Sequence, residues 1–343
     1  MAGPVQSRRR TATGANGVIA FVTGATGCVG YALCRRLLTL ASFTEVRVLA
    51  RSNSPDVPDG CRVFVGSLDD TSVLQTACEG VDVIFHAAAQ VHTPDAPPSD
   101  FERVNVGGTT KLLQAATGAN VPRFVYFSTV AVYGEDTPLE GISEDSPPAP
   151  VTPYAQTKLR GELLVQEWAT RTGGVGVLLR LATVYGARDR GNMARMMEAI
   201  RRGRFVLPGA GQNCKTCVAV ETVAGIAANA GLFPDAPDGL PVVVADPHGA
   251  YPLQEIADTM ATIITGPGRT RYPRLVPLRL LRHVAQTTER VWSLLRPGKT
   301  APITAQQVDR LAASNVYRIG RMNCLLAGFT PPTLAEGLRG AYR

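Results

Sequence analysis

The stretch TPYAQTK, residues 152–158, sets Tyr154 four residues ahead of Lys158. On a helix that spacing turns both side chains to one face. An ammonium beside a phenol favours the phenolate and draws the phenol down from its usual value of about 10. A phenol so tuned takes a proton from a secondary alcohol, or returns one to a ketone, while hydride moves at the same carbon. With nine tyrosines in 343 residues the pair alone carries little weight, so the rest of the chain must decide.

The second group of interest is GATGCVG, 24–30, between the apolar run VIAFVT (18–23) and the helix-like YALCRRLLTL (31–40). Glycines between a strand and a helix give a tight turn its dihedrals and let the backbone approach a diphosphate. The free N–H groups and partial positive charge of the helix start then hold the phosphates. Gly24, Thr26, Gly27, Cys28, Val29 and Gly30 are the dinucleotide cradle predicted on this reading. An acid ending the second strand would accept the ribose 2′-hydroxyl of NAD. This chain has Ala50 and then Arg51, which suits a 2′-phosphate, so NADP is favoured over NAD.

These residues need a frame. Apolar runs at 18–23, 45–50, 62–68, 81–89, 123–134 and 174–186 read as buried parallel strands. Helical stretches such as 105–117 and 154–172 lie between them. That alternation predicts an α/β chain with a Rossmann-type doubly wound parallel sheet. From 203 to 250 Pro and Gly become frequent, and a late strand at 241–246 precedes an amphipathic helix. The predicted division is a disordered tail at 1–16, a dinucleotide-binding domain at 17–186, and a smaller substrate lobe mainly over 187–343 that returns to the sheet near 241–246.

Hydrophobic residues make up 45% and charged residues 18%, as in a globular chain with a real core. The net charge is +7; one excess is SRRR at 7–10 in the tail, and a second lies at 269–299, where Arg269, Arg271, Arg274, Arg279, Arg282, Arg290, Arg296 and Lys299 face only Glu289. Leu275, Leu278, Leu281, Val284, Val291 and Leu295 run through the same segment, making it amphipathic and cationic. A lid over the substrate lobe is the first reading, a peripheral membrane contact the second, a solvated face the third. No nucleic-acid motif is present. Seven cysteines without a framework pattern predict reduced thiols and a cytoplasmic protein. Cys214 and Cys217 have no second pair at zinc spacing, so no metal is expected. No apolar run is long enough to span a membrane, and no secretory leader is expected.

Taken together, TGATGCVG (23–30), FHAAA (85–89), NVGGTTKLL (105–113), FVYFSTVAVYG (124–134), PYAQTK (153–158), LRLATVYGARDRGN (179–192) and GFTPPTLAEGLRGAY (328–342) resemble the extended short-chain dehydrogenase/reductase, or NAD-dependent epimerase/dehydratase, family. The look is closest to nucleotide-sugar 4-epimerases and 4-ketoreductases, and it covers roughly 18 to 342. The resemblance implies that Tyr154 and Lys158 are the catalytic pair and also touch the nicotinamide ribose. It implies Thr129 as the hydroxyl on the substrate oxygen, with Ser128 ranked second. Ser67, Leu68, Ala87, Ala88, Ala89 and Asn105 match cofactor-side positions, although Ser67 replaces the usual acid, and Asn105 also matches an asparagine that supports the geometry of the active-site helix. His92, Thr129, Asn192 and Lys215 match substrate-side positions. Lys215 stands where an arginine normally grips the diphosphate.

The departures are informative too. Thr129-Val130-Ala131 lacks the acid pair of 4,6-dehydratases, and RLAT (180–183) differs from the galactose epimerases. The expected activity is hydride transfer between NAD(P) and a secondary alcohol or ketone carbon, foremost C4 of a nucleotide sugar. The alternatives are a 3β-hydroxysteroid or dihydroflavonol type of dehydrogenase on an apolar substrate, and a non-catalytic NADP sensor. The resemblance also implies a homodimer paired through the 105–117 and 154–172 helices.

Overall fold

A computed structural model describes residues 17–53, 56–91, 97–134, 137–266, 273–296 and 301–342. The 1–16 tail, His92, Arg269, Arg271 and Lys299 lie outside the described residues.

The first half alternates as expected. Strand β1 (Val18–Thr23) leads into α1 (Cys28–Leu38), then β2 (Phe43–Ala50), β3 (Arg62–Val65), α2 (Thr71–Cys78) and β4 (Val83–His86). A short α3 (Pro98–Phe101), a π-helical turn (Glu102–Gly107) and α4 (Gly108–Gly118) form one continuous rod ahead of β5 (Arg123–Thr129). After a 3₁₀ turn (Val130–Tyr133) comes α5 (Pro153–Thr172), then β6 (Val175–Leu181). The α5 boundaries follow from local chemistry. Thr152 caps the start by accepting from the Ala155 N–H, Pro153 fits the first turn, and Gly173 ends the helix at φ 71°.

The expected strands at 123–134 and 174–186 are shorter in the structure. Residues 130–133 turn into 3₁₀ geometry, and β7 (Thr183–Tyr185) leaves the main sheet to pair with β10 (Cys217–Ala219). Between them lie α6 (Asn192–Arg201), β8 (Val206–Pro208) and β9 (Cys214–Lys215). Next come α7 (Val220–Leu232), β11 (Pro241–Val244), β12 (Tyr251–Pro252), α8 (Leu253–Thr265), β13 (Arg274–Val276), α9 (Leu278–Leu295), α10 (Ala305–Ala312) and α11 (Leu334–Tyr342).

Seven strands form the central sheet in the order β11-β6-β5-β4-β1-β2-β3, with every neighbouring pair parallel. The fold is a Rossmann-type α/β sheet, and β11, from the second half of the chain, adds its last strand beside β6. One apolar layer lies between the sheet and α1 and α7, and a second under α2, α4 and α5. A third cluster, around Met196, Met197, Ile256 and Met260, holds α6, α8 and α11 together. Among the described residues, no helix is long and apolar enough to cross a membrane. All seven cysteines are free thiols.

Candidate active site

The site gathers at the carboxyl ends of β1, β4 and β5, beside the crevice where the strand order turns back between β1 and β4. Gly24 leaves β1 with φ 77°. A Cβ on it would lie 2.7 Å from the Ala88 nitrogen and 2.8 Å from the Ala87 carbonyl carbon. The Ala87 N–H donates to the Thr23 carbonyl at 3.2 Å, and the Ala88 N–H to the Thr23 hydroxyl at 3.3 Å. These bonds hold the Ala87-Ala88-Ala89 segment against the glycine loop.

Gly30 is equally constrained, since a Cβ there would sit 2.2 Å from the Gly24 oxygen. Gly27 is not. It is exposed, and its Cβ would meet nothing closer than the same oxygen at 3.3 Å. Gly27 starts α1 with no side-chain cap and no acid in the first turn. The first N–H groups of α1, with Thr26, Cys28 and Val29 around them, are thereby left for an anion. The cradle fits a dinucleotide diphosphate.

Around the cradle the candidate residues divide. Arg51 is exposed directly after β2, with no acid through Asn53. Ser67 spends both its backbone N–H and its hydroxyl on Asp70, at 2.6 and 2.9 Å. Leu68 packs over Gly108 at the start of α4. Cys28 is an inert thiol, pushed up to about 12 by burial, with its Sγ against the Ala187 carbonyl. Arg188 escaped the sequence reading. It stacks on the Tyr31 ring at 4.3 Å and pairs with Asp56, fastening the segment after β7 onto the glycine helix.

Tyr154 and Lys158 lie one turn apart on α5, with Thr129 at the end of β5. Thr129 lies close enough to the Tyr154 phenol to lower it slightly. The Lys158 Nζ is buried 4.0 Å above the Tyr126 ring. Tyr126 reaches beneath α5 only because residue 161 is glycine: a Cβ there would come within 2.0 Å of the Tyr126 hydroxyl. Among the protein's own groups, desolvation dominates at the phenol. Burial pushes Tyr154 up to about 12, against a smaller lowering by Thr129. Burial also drags Lys158 down to about 7, opposed by Glu162. The protein's own groups therefore hold Tyr154 protonated at neutral pH.

Ser128 points the other way. Neighbours on a strand face opposite sides, and the Ser128 hydroxyl donates to Glu162 Oε1 at 2.5 Å inside the core. It is removed from the catalytic group. Glu162 in turn makes a two-pronged, fully buried ion pair with Arg180, at 2.9 and 2.6 Å. Neither residue was foreseen, although Glu162 extends the four-residue spacing of Tyr154 and Lys158.

Asn105 sits in the π-helical turn with its carboxamide already engaged. It accepts from the Gln90 N–H at 2.7 Å and donates to the Gln90 carbonyl and the Thr157 hydroxyl. It positions α5 and the loop after β4 rather than contacting a cofactor. His86, buried between the Thr23 and Thr109 hydroxyls at 2.7 and 2.9 Å, is held neutral down to about pH 3 by burial.

The substrate-side candidates do not converge. Asn192 is exposed at the first turn of α6. Lys215 is committed elsewhere: its ammonium donates to the Arg310 and Ala313 carbonyls and to Asn315 Oδ1, at 3.0, 2.5 and 2.9 Å. It ties down the end of α10 and is no diphosphate grip. Among the described residues, no group of three or more His, Cys, Asp or Glu could hold a metal.

Residues 20–231 match the model of the NAD dependent epimerase/dehydratase family. The chain belongs to that family. It is an extended short-chain dehydrogenase/reductase, an enzyme with an NAD-binding Rossmann fold. A ketoreductase from Stigmatella aurantiaca, named for 4-hydroxy-2-methyl-3-oxo-4-farnesyl-3,4-dihydroquinoline-1-oxide, is 30% identical over 88% of this chain and 86% of its own. The N-acetyl-α-D-glucosaminyl-diphospho-ditrans,octacis-undecaprenol 4-epimerase of Escherichia coli O157:H7 is 29% identical over 58% of this chain and 59% of its own length. In fold, the chain is similar to the UDP-glucuronic acid 4-epimerase of Bacillus cereus solved with NAD. The TM-score is 0.73, at 20% identity over 95% of this chain and 97% of that one.

Proposed function

We propose that this enzyme is an NADPH-dependent ketoreductase whose substrate joins a cyclic ketone to an apolar, isoprenoid-like tail. The observation that carries the direction is Tyr154, one turn from Lys158 on α5 beside Thr129 and held protonated by desolvation. A phenol at about 12 is a ready donor to a forming alkoxide and a reluctant acceptor from an alcohol. Lys158, near 7, supports the phenolate left behind while it keeps its proton.

The bound dinucleotide supplies hydride at its nicotinamide. Gly24, Gly27 and the start of α1 hold its diphosphate, and Arg51 the 2′-phosphate. Thr129 and Tyr154 orient the carbonyl oxygen from two sides. The substrate class draws support from the farnesyl-substrate ketoreductase, whose alignment must run through the C-terminal lobe to reach its length. The engagement of Lys215 away from any diphosphate agrees with it.

A second reading, 4-epimerisation of a nucleotide- or polyprenyl-linked sugar, is favoured by the undecaprenol-linked 4-epimerase relative. The homodimer implied by the resemblance would pair through α4 and α5, where Leu163 is exposed.

Cofactor consumption separates the readings. NADPH loss is followed with a prenylated quinoline ketone and with a UDP-4-keto-sugar as probes. Stoichiometric NADP formation with the first supports the proposal. Interconversion of a UDP-sugar pair with no net cofactor change overturns it and establishes the epimerase.

A further inference from the structure

Helix α9 inverts the usual burial pattern. Ala285 is its one fully buried residue, whereas Leu280, Val284, Val291, Leu294 and Leu295 are exposed, Leu294 to 81%. At 3.6 residues per turn these five fall within a band roughly 100° wide. One edge of that band carries Arg279, His283 and Arg290, all exposed. The other side meets α10, tied to it by the Arg282–Asp309 ion pair and by the Ala305 N–H donating to Glu289. Leu275, three residues ahead of the helix, is exposed beside Arg274. Among the described residues, Arg274, Arg279 and Arg290 have no acidic partner.

We infer that α9 lies in the plane of a membrane surface bearing anionic lipids, its leucine band in the acyl boundary and its arginines among the headgroup phosphates. An apolar stripe flanked by unpaired guanidinium groups is complementary to that surface. A second copy of the chain fits less well, because a twofold contact across the stripe repeats the same patch and crowds like charges together. The helix pair is also anchored near the active site. The Thr137 N–H donates to the Ser314 carbonyl at 3.0 Å, and the Val316 N–H to the Thr137 hydroxyl at 2.6 Å, in the segment between Thr129 and α5. Docking by α9 stands on these observations and holds whichever substrate the site takes.

The test is sedimentation of the full chain with vesicles of phosphatidylcholine alone or mixed with phosphatidylglycerol. The wild type is expected to sediment with the anionic vesicles only, and less so at high salt. Leu294→Asp with Leu295→Asp, and Arg279→Glu with Arg290→Glu, should each lower partitioning by at least about tenfold. Leu240→Asp, exposed before β11, should leave it unchanged. If the aspartate pair unfolds the chain, Leu294→Trp supplies the reading, with its fluorescence quenched by brominated lipid in the vesicles. No sedimentation, sedimentation indifferent to these substitutions, or an unquenched Trp overturns the inference. So does a dimer that the aspartate pair dissociates, which would give the face to a second copy.

Discussion

Glu162→Gln tests the buried network behind the catalytic helix. The carboxylate is 3% exposed and the Arg180 side chain 5%, and Ser128 donates to the same acid. Neutralising Glu162 leaves a buried guanidinium without its counter-charge, which costs about 3–5 kcal/mol. Removing both charges, as Glu162→Leu with Arg180→Met, takes away that penalty. What remains is the Ser128 hydroxyl without its acceptor, worth about 1–3 kcal/mol. The double variant should therefore be more stable than Glu162→Gln.

Activity should respond differently. Glu162 is what holds the Lys158 ammonium up against burial. Both variants should move the alkaline loss of activity to lower pH than in the wild type, where it begins near about 7 as Lys158 gives up its proton. Urea unfolding measures the first effect and the pH profile of kcat/KM the second. A double variant as unstable as the sum of the two single ones, or an unmoved pH profile, refutes the reasoning.

Gly27→Ala should cost about 1 kcal/mol or less in unfolding, because its Cβ meets a single tight contact, the Gly24 oxygen at 3.3 Å, while dinucleotide affinity drops; Gly30→Ala, with 2.2 Å to the same oxygen, should lose much more stability. Calorimetry for both quantities separates them. His86 has a folded value near 3 against 6.5 unfolded, so the unfolded chain binds the extra proton between those limits. Its contribution is present above pH 6.5 and is lost as pH falls, by a few kcal/mol in all. His86→Asn should flatten that slope in acid unfolding curves. Lys215→Met should cost about 2–4 kcal/mol from three lost ammonium hydrogen bonds, seen in urea unfolding, with KM changed little.

The sequence made the cofactor half legible because its signals are local. A strand, three glycines and a helix start define the cradle within a dozen positions. Tyr154 and Lys158 share a face through helical spacing alone. Ser128 and Thr129 were separable too, since strand alternation sends them to opposite sides, but that test needs the strand to end at Thr129. What escaped depends on distant partners. Glu162 of α5 meets Arg180 of β6. Lys215 looks like an anion grip until the carbonyls near 310–313 close over it. Asn105 is read as a helix support and a cofactor residue, but its partners, Gln90 and Thr157, are visible only once the π-helical turn aims it at them. The phenol's direction also depends on depth: desolvation raises Tyr154 and lowers Lys158, effects that the Tyr–Lys spacing alone does not reveal.

The most direct test follows the atoms. NADPH carrying deuterium at the transferred nicotinamide position is turned over with the prenylated quinoline ketone, and the product is examined by mass spectrometry. The wild type should place one deuterium on the new carbinol carbon. Tyr154→Phe should bind NADPH as tightly, yet lose at least about a hundredfold in rate. An undiminished rate in Tyr154→Phe, or an alcohol without deuterium, would contradict proton donation by Tyr154 coupled to hydride transfer in this cleft.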